Sequence, residues 1–202
     1  MKKNPLRKIV LFCIVSMIST KGFSQKTKDT VYVNYESVND LLDKTQRAEV
    51  TLHLFRNEQF GYEVNIPAWL ALKETGESNF FGGTFPAVKG VENALLVTAF
   101  SNERFKSFDE FEYIYLTGNK FGKPTLFDRE HTWYGQNELK KIPHGVEQRI
   151  FMIWNNKVYH CKFVLLETPK AYLWVQFTST PGTYDENLPK FDDFVAGIKM
   201  LE

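Results

Sequence analysis

Residues 145–201 read "GVEQRIFMIWNNKVYHCKFVLLETPKAYLWVQFTSTPGTYDENLPKFDDFVAGIKML", and the fold follows from how this stretch is punctuated. Three runs rich in β-branched and aromatic residues are broken by Asn155-Asn156 and Thr168-Pro169-Lys170 and end at Pro181-Gly182. Each break is a turn of two or three residues. A fourth run, "EHTWYGQNELKKI", comes first and stops at Pro143-His144-Gly145. Connections this short force antiparallel neighbours, because a parallel crossover needs about a dozen residues or more. Residues 129–180 therefore read as a four-stranded meander. Its inner strands are apolar on both faces, with Val158, Val164 and Leu166 on one and Tyr159, Phe163 and Leu165 on the other. Such a sheet has to be covered on both sides.

The end of the chain supplies one cover. Thr183-Tyr184-Asp185-Glu186 has the S/T-x-x-E form of a capping box, in which a hydroxyl accepts from an orphan helix amide and the glutamate reaches back. Leu188, Phe191, Phe194 or Val195, Ile198 and Leu201 then recur at helical spacing, and Pro189 stands near the start, where proline costs little. The spacing predicts an amphipathic helix running to Leu201. It also makes the Thr-Tyr-Asp-Glu cluster a corner and not a carboxylate site, since a cap contributes on the order of 1 kcal/mol and needs no other purpose.

Upstream, Val50, Leu52 and Leu54 alternate with Thr51, His53 and Phe55, and Tyr62–Ile66 alternates again until Pro67, which cannot donate to a ladder. This predicts a hairpin that ends in a fixed bend. Residues 74–93 are rich in glycine and polar groups and read as irregular surface chain, including "FFGGTF" at 80–85, which lacks the lysine and helix of a phosphate loop. Residues 94–101, "ALLVTAFS", restore a strand. Ser107-Phe108-Asp109-Glu110 is a second capping box, opening a three-turn helix that Gly118 stops.

The first 24 residues have the form of an export signal: Lys2, Lys3, Arg7 and Lys8, then "IVLFCIVSMI", then small residues before Gln25. The apolar run is only about ten residues, short of the ~20 that cross a bilayer, so no stable membrane insertion is expected. Residues 25–48 read as a leader with one short helix after Ser37. Cleavage removes five of the 25 Lys+Arg and none of the 24 Asp+Glu, leaving 20 − 24 = −4. That charge excludes a basic stripe for nucleic acid. Only Cys161 survives cleavage, so no internal disulfide can form, and 18 Phe, 9 Tyr and 4 Trp must build the core.

In this order the elements resemble the Mog/PsbP-like family. The residues that carry the likeness are "GYEVNIPAWL" at 61–70 and "YLWVQFTSTPGTYDENLPKFDDFVAGIKML" at 172–201, with a hairpin, a mid-chain helix and long strands between. The resemblance implies an α+β fold, a three-layer α/β/α sandwich around a mainly antiparallel sheet spanning 49–202. It implies an exported accessory or binding module and transfers no catalytic residues. A protein or small-molecule ligand, an envelope complex or a homodimer are the partners it admits, and no cofactor is expected.

His53, His131, His144 and His160 fall in no metal-binding spacing, and no nucleophile elbow or dinucleotide fingerprint occurs. His160 and Cys161 are adjacent in a strand and so face opposite ways, which separates nucleophile from base. One stretch offers a ligand site. In "REHTWYGQNE", residues 129–138, His131 and Trp133 share a face and Tyr134 and Gln136 the other, so polar groups surround an aromatic platform suited to a sugar, peptide or small aromatic ligand. The expectation is a non-catalytic binding protein in the periplasm or outside the cell. The alternative is a small secreted hydrolase with a site near 80–90 and 129–138.

Overall fold

The computed structural model describes residues 33–35, 52–73, 77–118, 132–135 and 139–202. The export signal and the helix expected after Ser37 lie outside the described residues. Within them the chain is a mixed α/β protein with two sheets, and every strand pairing is antiparallel. The smaller sheet has the order β1 (Val33–Tyr35), β2 (Leu52–Asn57), β3 (Tyr62–Ile66), β12 (Ile198–Met200). The larger runs β4 (Ala71–Lys73), β5 (Phe80–Thr84), β6 (Ala94–Ser101), β11 (Ala171–Ser179), β10 (Lys157–Glu167), β9 (Gly145–Trp154), β7 (Thr132–Gly135), with β8 (Lys140–Ile142) also on β9.

Helix α1 (Phe108–Glu112) starts where the capping box places it. Ser107 Oγ accepts from the Glu110 amide at 3.3 Å, while the Glu110 carboxylate accepts from the Lys106 amide at 2.6 Å, one residue earlier than the motif requires. The helix continues as a single π turn, Tyr113–Thr117, in which the Gly118 amide donates to the Tyr113 carbonyl at 2.7 Å. Helix α2 (Tyr184–Ala196) is the expected C-terminal helix. Among the described residues no helix is long and apolar enough to cross a membrane.

Four sequence expectations need correction. The run 129–142 is two strands, because Gly135 pairs with Ile150 and Lys140 with Glu147. Five steps separate these pairs on one side (140 − 135) and three on the other (150 − 147), so β7 and β8 do not share one register on β9. Residues 80–84 are no loop but the buried strand β5, where a Cβ at Gly82 would stand 2.9 Å from the Leu95 carbonyl oxygen and one at Gly83 2.8 Å from that of Ala71. The glycines let backbones close in. Helix α2 stops at Gly197, and Ile198–Met200 pairs with β3, filling an edge that would otherwise expose backbone donors and acceptors. Three residues of the expected leader, Val33–Tyr35, form a strand on β2.

The larger sheet separates two apolar clusters. On one face Leu95, Val97, Val164, Leu173, Val175 and Phe177 meet Tyr62, Val64 and Ile66 of β3 and Tyr184, Phe191 and Phe194 of α2. On the other, Phe100, Phe163, Leu165, Tyr172 and Trp174 meet Phe111, Tyr115 and Leu116 of α1 and its π turn. Residues alternate between the clusters along β10 and β11, as the two-faced apolar pattern requires. Each fully buried aromatic or aliphatic side chain contributes about 1.5–3 kcal/mol, which lets a chain without crosslinks fold.

Candidate functional site

The turn Asn155-Asn156 has φ of 47° and 59°, the paired left-handed geometry of a two-residue hairpin. It fixes the β9–β10 register and hence a row of facing positions across four strands, Tyr134, Phe151, His160 and Ser179. This row lies on the α2 side of the sheet, since its neighbours Val164 and Phe177 belong to the cluster beneath that helix. Phe151 and His160 meet with ring centroids 4.5 Å apart and their planes tilted by 31°.

Arg149, one alternation back along β9, places its guanidinium 4.3 Å from the centroid of the Tyr184 ring and its Nη2 3.1 Å from His160 Nδ1. His160 meets the same tyrosine edge-on at 5.5 Å. Burial first, and the adjacent Arg149 cation second, hold the imidazole below its usual range, while Asp185 works the other way. Burial pushes the Tyr184 phenol up to about 12, with Arg149 opposing. Both rings are therefore neutral near pH 7 and the guanidinium is the charge they surround.

Next to this group, Lys162 bonds Asp192 of α2 at 2.7 Å and Glu147 at 3.0 Å, and Glu147 also meets Lys140 at 3.2 Å. Burial alone disfavours both ionised forms. The two ammoniums together outweigh it and hold the Glu147 carboxylate below its ordinary range, and the two carboxylates hold Lys162 above its own.

Tyr184 is positioned by the corner before it, although not by the expected cap. Thr183 makes no side-chain bond to a helix amide. Its hydroxyl donates to Asn93 Oδ1 at 2.8 Å, and Asn93 Nδ2 donates to the Thr183 carbonyl at 3.2 Å. Glu186, the other half of the box, pairs with Lys89 at 3.2 Å. The cluster is a corner, pinned to a loop ninety residues away in sequence.

Of the four residues singled out in the sequence, His131 and Gln136 lie outside the described residues. Trp133 is 1% exposed and packs on Phe163 with centroids 5.2 Å apart, so it stands in the core and not on an open platform. Tyr134 is half-buried and joins the row described above. Sequence reasoning missed Arg149, Phe151 and Tyr184, although a turn at Asn155-Asn156 already implies that 151 faces 160. Cys161 points away from His160 into the other cluster, where burial raises its thiol to about 12. Among the described residues no group of three or more His, Cys, Asp and Glu is placed to hold a metal ion.

Among the described residues, antiparallel sheets, two helices and an apolar cluster on each face of the larger sheet make up a fold that is PsbP-like by comparison with a solved structure. The structure is similar to cyanobacterial PsbP (CyanoP) from Synechocystis sp. PCC 6803, with a TM-score of 0.50 at 11% identity, covering 79% of this chain and 98% of that one. A protein of unknown function from Pseudomonas aeruginosa matches at a TM-score of 0.41 and 15% identity, over 70% of this chain and 92% of that one. No family model matches the sequence, and no curated protein does. At 11% identity the likeness is one of fold.

Proposed function

We propose that the chain is an exported, non-catalytic binding or accessory protein of the cell envelope or extracellular space. It takes a protein or small-molecule ligand on the face where the half-buried Tyr134, Phe151 and His160 line up beside Arg149, whose guanidinium rests on the buried Tyr184 ring. The observation that carries this reading is the Arg149 guanidinium laid on the Tyr184 ring at 4.3 Å within a half-buried aromatic row. Arginine and aromatic side chains on a preformed surface are what recognition sites are built from. The three-layer α/β/α arrangement belongs to the same proposal, with α2 on one side of the larger sheet and α1 on the other. The alternative of a small secreted hydrolase with a site near 80–90 and 129–138 would have to draw on 85–90 on its first side, because Phe80–Thr84 is a buried strand inside the sheet.

Two measurements test the proposal. Expressed with its own first 24 residues, the chain should be recovered outside the cytoplasm with a mass that begins at Gln25. Full-length protein retained inside the cell refutes export. A thermal-shift panel of sugars, peptides and small aromatic acids, followed by amide mapping of any hit, should place the perturbation on β7, β9, β10 and the start of α2. Hits that map elsewhere refute the assignment of the face.

A further inference from the structure

We infer that Arg149, His160 and Tyr184 form a pH-sensitive latch between helix α2 and the β9–β10 hairpin: neutral His160 holds Arg149 against the Tyr184 ring, and protonated His160 releases it. The inference concerns a conformational property of the protein alone and stands whether or not the ligand reading does.

The chemistry is set by one contact. A guanidinium has only donors, so the 3.1 Å approach of Arg149 Nη2 to His160 Nδ1 requires a lone pair on Nδ1, and the neutral ring carries its proton on Nε2. Protonation of Nδ1 replaces that acceptor with a donor. Two N–H groups then face each other across a distance that held a bond, and two cations share one half-buried space. Nothing else in the contact needs to change for it to fail.

The surroundings decide which state is held. From β9 the groups facing His160 are Arg149 and the Phe151 ring. On β10 itself Lys162 lies two residues along the same face and is engaged by Glu147 and Asp192. Helix α2 brings Tyr184 and Asp185. Across the row, β7 brings Tyr134 and β11 brings Ser179, whose hydroxyl donates to the His160 carbonyl at 3.1 Å. Among these described groups, Asp185 favours the charged ring and Arg149 opposes it, with burial the largest influence.

The sign follows. The folded imidazole titrates below the 6.5 of an unperturbed histidine, so the unfolded chain binds the proton more readily. The contribution of the latch is complete above 6.5 and is lost as pH falls through the folded value. The corner before α2 contains no group that titrates in this range, because Thr183 and Asn93 hold each other by neutral bonds. Helix α2 therefore stays seated while Arg149 leaves the ring, and the face gains one positive charge at His160 beside Arg149.

The test compares wild type with His160→Asn, whose amide oxygen stands close to the Nδ1 position and accepts at every pH. In wild type, nitrogen-resolved NMR of the arginine and histidine side chains should show the Arg149 guanidinium signals moving with the same midpoint as the His160 imidazole, below 6.5. Denaturant unfolding should lose stability on mild acidification in wild type, and that loss should shrink in H160N. Arg149 signals that hold still through the His160 titration overturn the inference, as does an unchanged acid slope in H160N. If H160N does not fold, the wild-type titration decides alone.

Discussion

Thr168→Val should be among the most damaging polar substitutions in the protein. Thr168 follows β10 directly at 3% exposure, and its one hydroxyl serves several partners. It donates to the Phe60 carbonyl at 2.7 Å and accepts from the amides of Ala171 at 2.8 Å and Lys170 at 3.1 Å. The Phe60 bond spans 108 residues and ties the β10–β11 turn to the β2–β3 turn, and so one sheet to the other. Valine keeps the shape and removes the oxygen, leaving a buried carbonyl and a buried amide without a partner. At about 1–3 kcal/mol for each of these two groups the loss is ~2–6 kcal/mol, and the amide of the exposed Lys170 can turn to water instead. For a chain of this size that is a fall of about 4–24 °C in Tm, at roughly 2–4 °C per kcal/mol. Thr168→Ser retains the hydroxyl and loses one methyl, about 1 kcal/mol. Urea unfolding of both variants separates the hydroxyl from the methyl. A valine variant as stable as the serine variant would refute the argument that this oxygen couples the sheets.

Other outcomes follow from single contacts. A Cβ at Gly145 would collide with the Leu165 carbonyl, so Gly145→Ala should lower stability by several kcal/mol in denaturant unfolding, whereas Gly182→Ala, with open space around it, should stay within about 0.5 kcal/mol of wild type. Glu147 is held below its ordinary range, so its contribution is complete above about 4.5 and declines as pH falls through the folded value; Lys162→Met should flatten that acid limb in a stability-against-pH series. Cys161 is fully buried with its thiol near 12, so a thiol reagent should label it only at the rate of unfolding, and rapid labelling of the native protein would contradict its placement.

The fold was legible wherever turn chemistry and period agreed. Asn155-Asn156, Thr168-Pro169-Lys170 and Pro181-Gly182 bound three strands of the larger sheet, and Tyr62–Ile66 and Ala94–Ser101 were bounded as expected. The misreadings share a cause, which is that local pattern was overruled by a distant partner. Ile198 and Met200 fit a helical stripe, yet the edge of β3 offered ladder bonds and the chain leaves the helix at Gly197 to take them. Phe80–Thr84 carries two glycines that signal a loop by composition. Their missing side chains are what allow the Leu95 and Ala71 carbonyls to pass so close. Thr183 matched a capping box until Asn93, ninety residues earlier, claimed its hydroxyl.

The candidate site was less legible, and the reason is geometric. The aromatic platform was sought along one strand, within 129–138, whereas the aromatic groups converge across strands. Tyr134, Phe151 and His160 are separated by up to 26 positions (160 − 134) and become neighbours only through two pairing registers. Trp133, the most conspicuous residue of the quoted stretch, faces inward because alternation gives the α2 side to Tyr134. Arg149 was the available clue. It is the one fixed cation in a strand otherwise apolar or uncharged after Glu147, and it lies on the α2 side of a sheet whose cover is an amphipathic helix. A charge in that position must find a partner from the cover or leave the sheet exposed there, and the residue that meets it is Tyr184, the first of the helix. The unexpected charge in an apolar strand and the hairpin register set by Asn155-Asn156 together point to Arg149, to His160 and to the helix start that covers them.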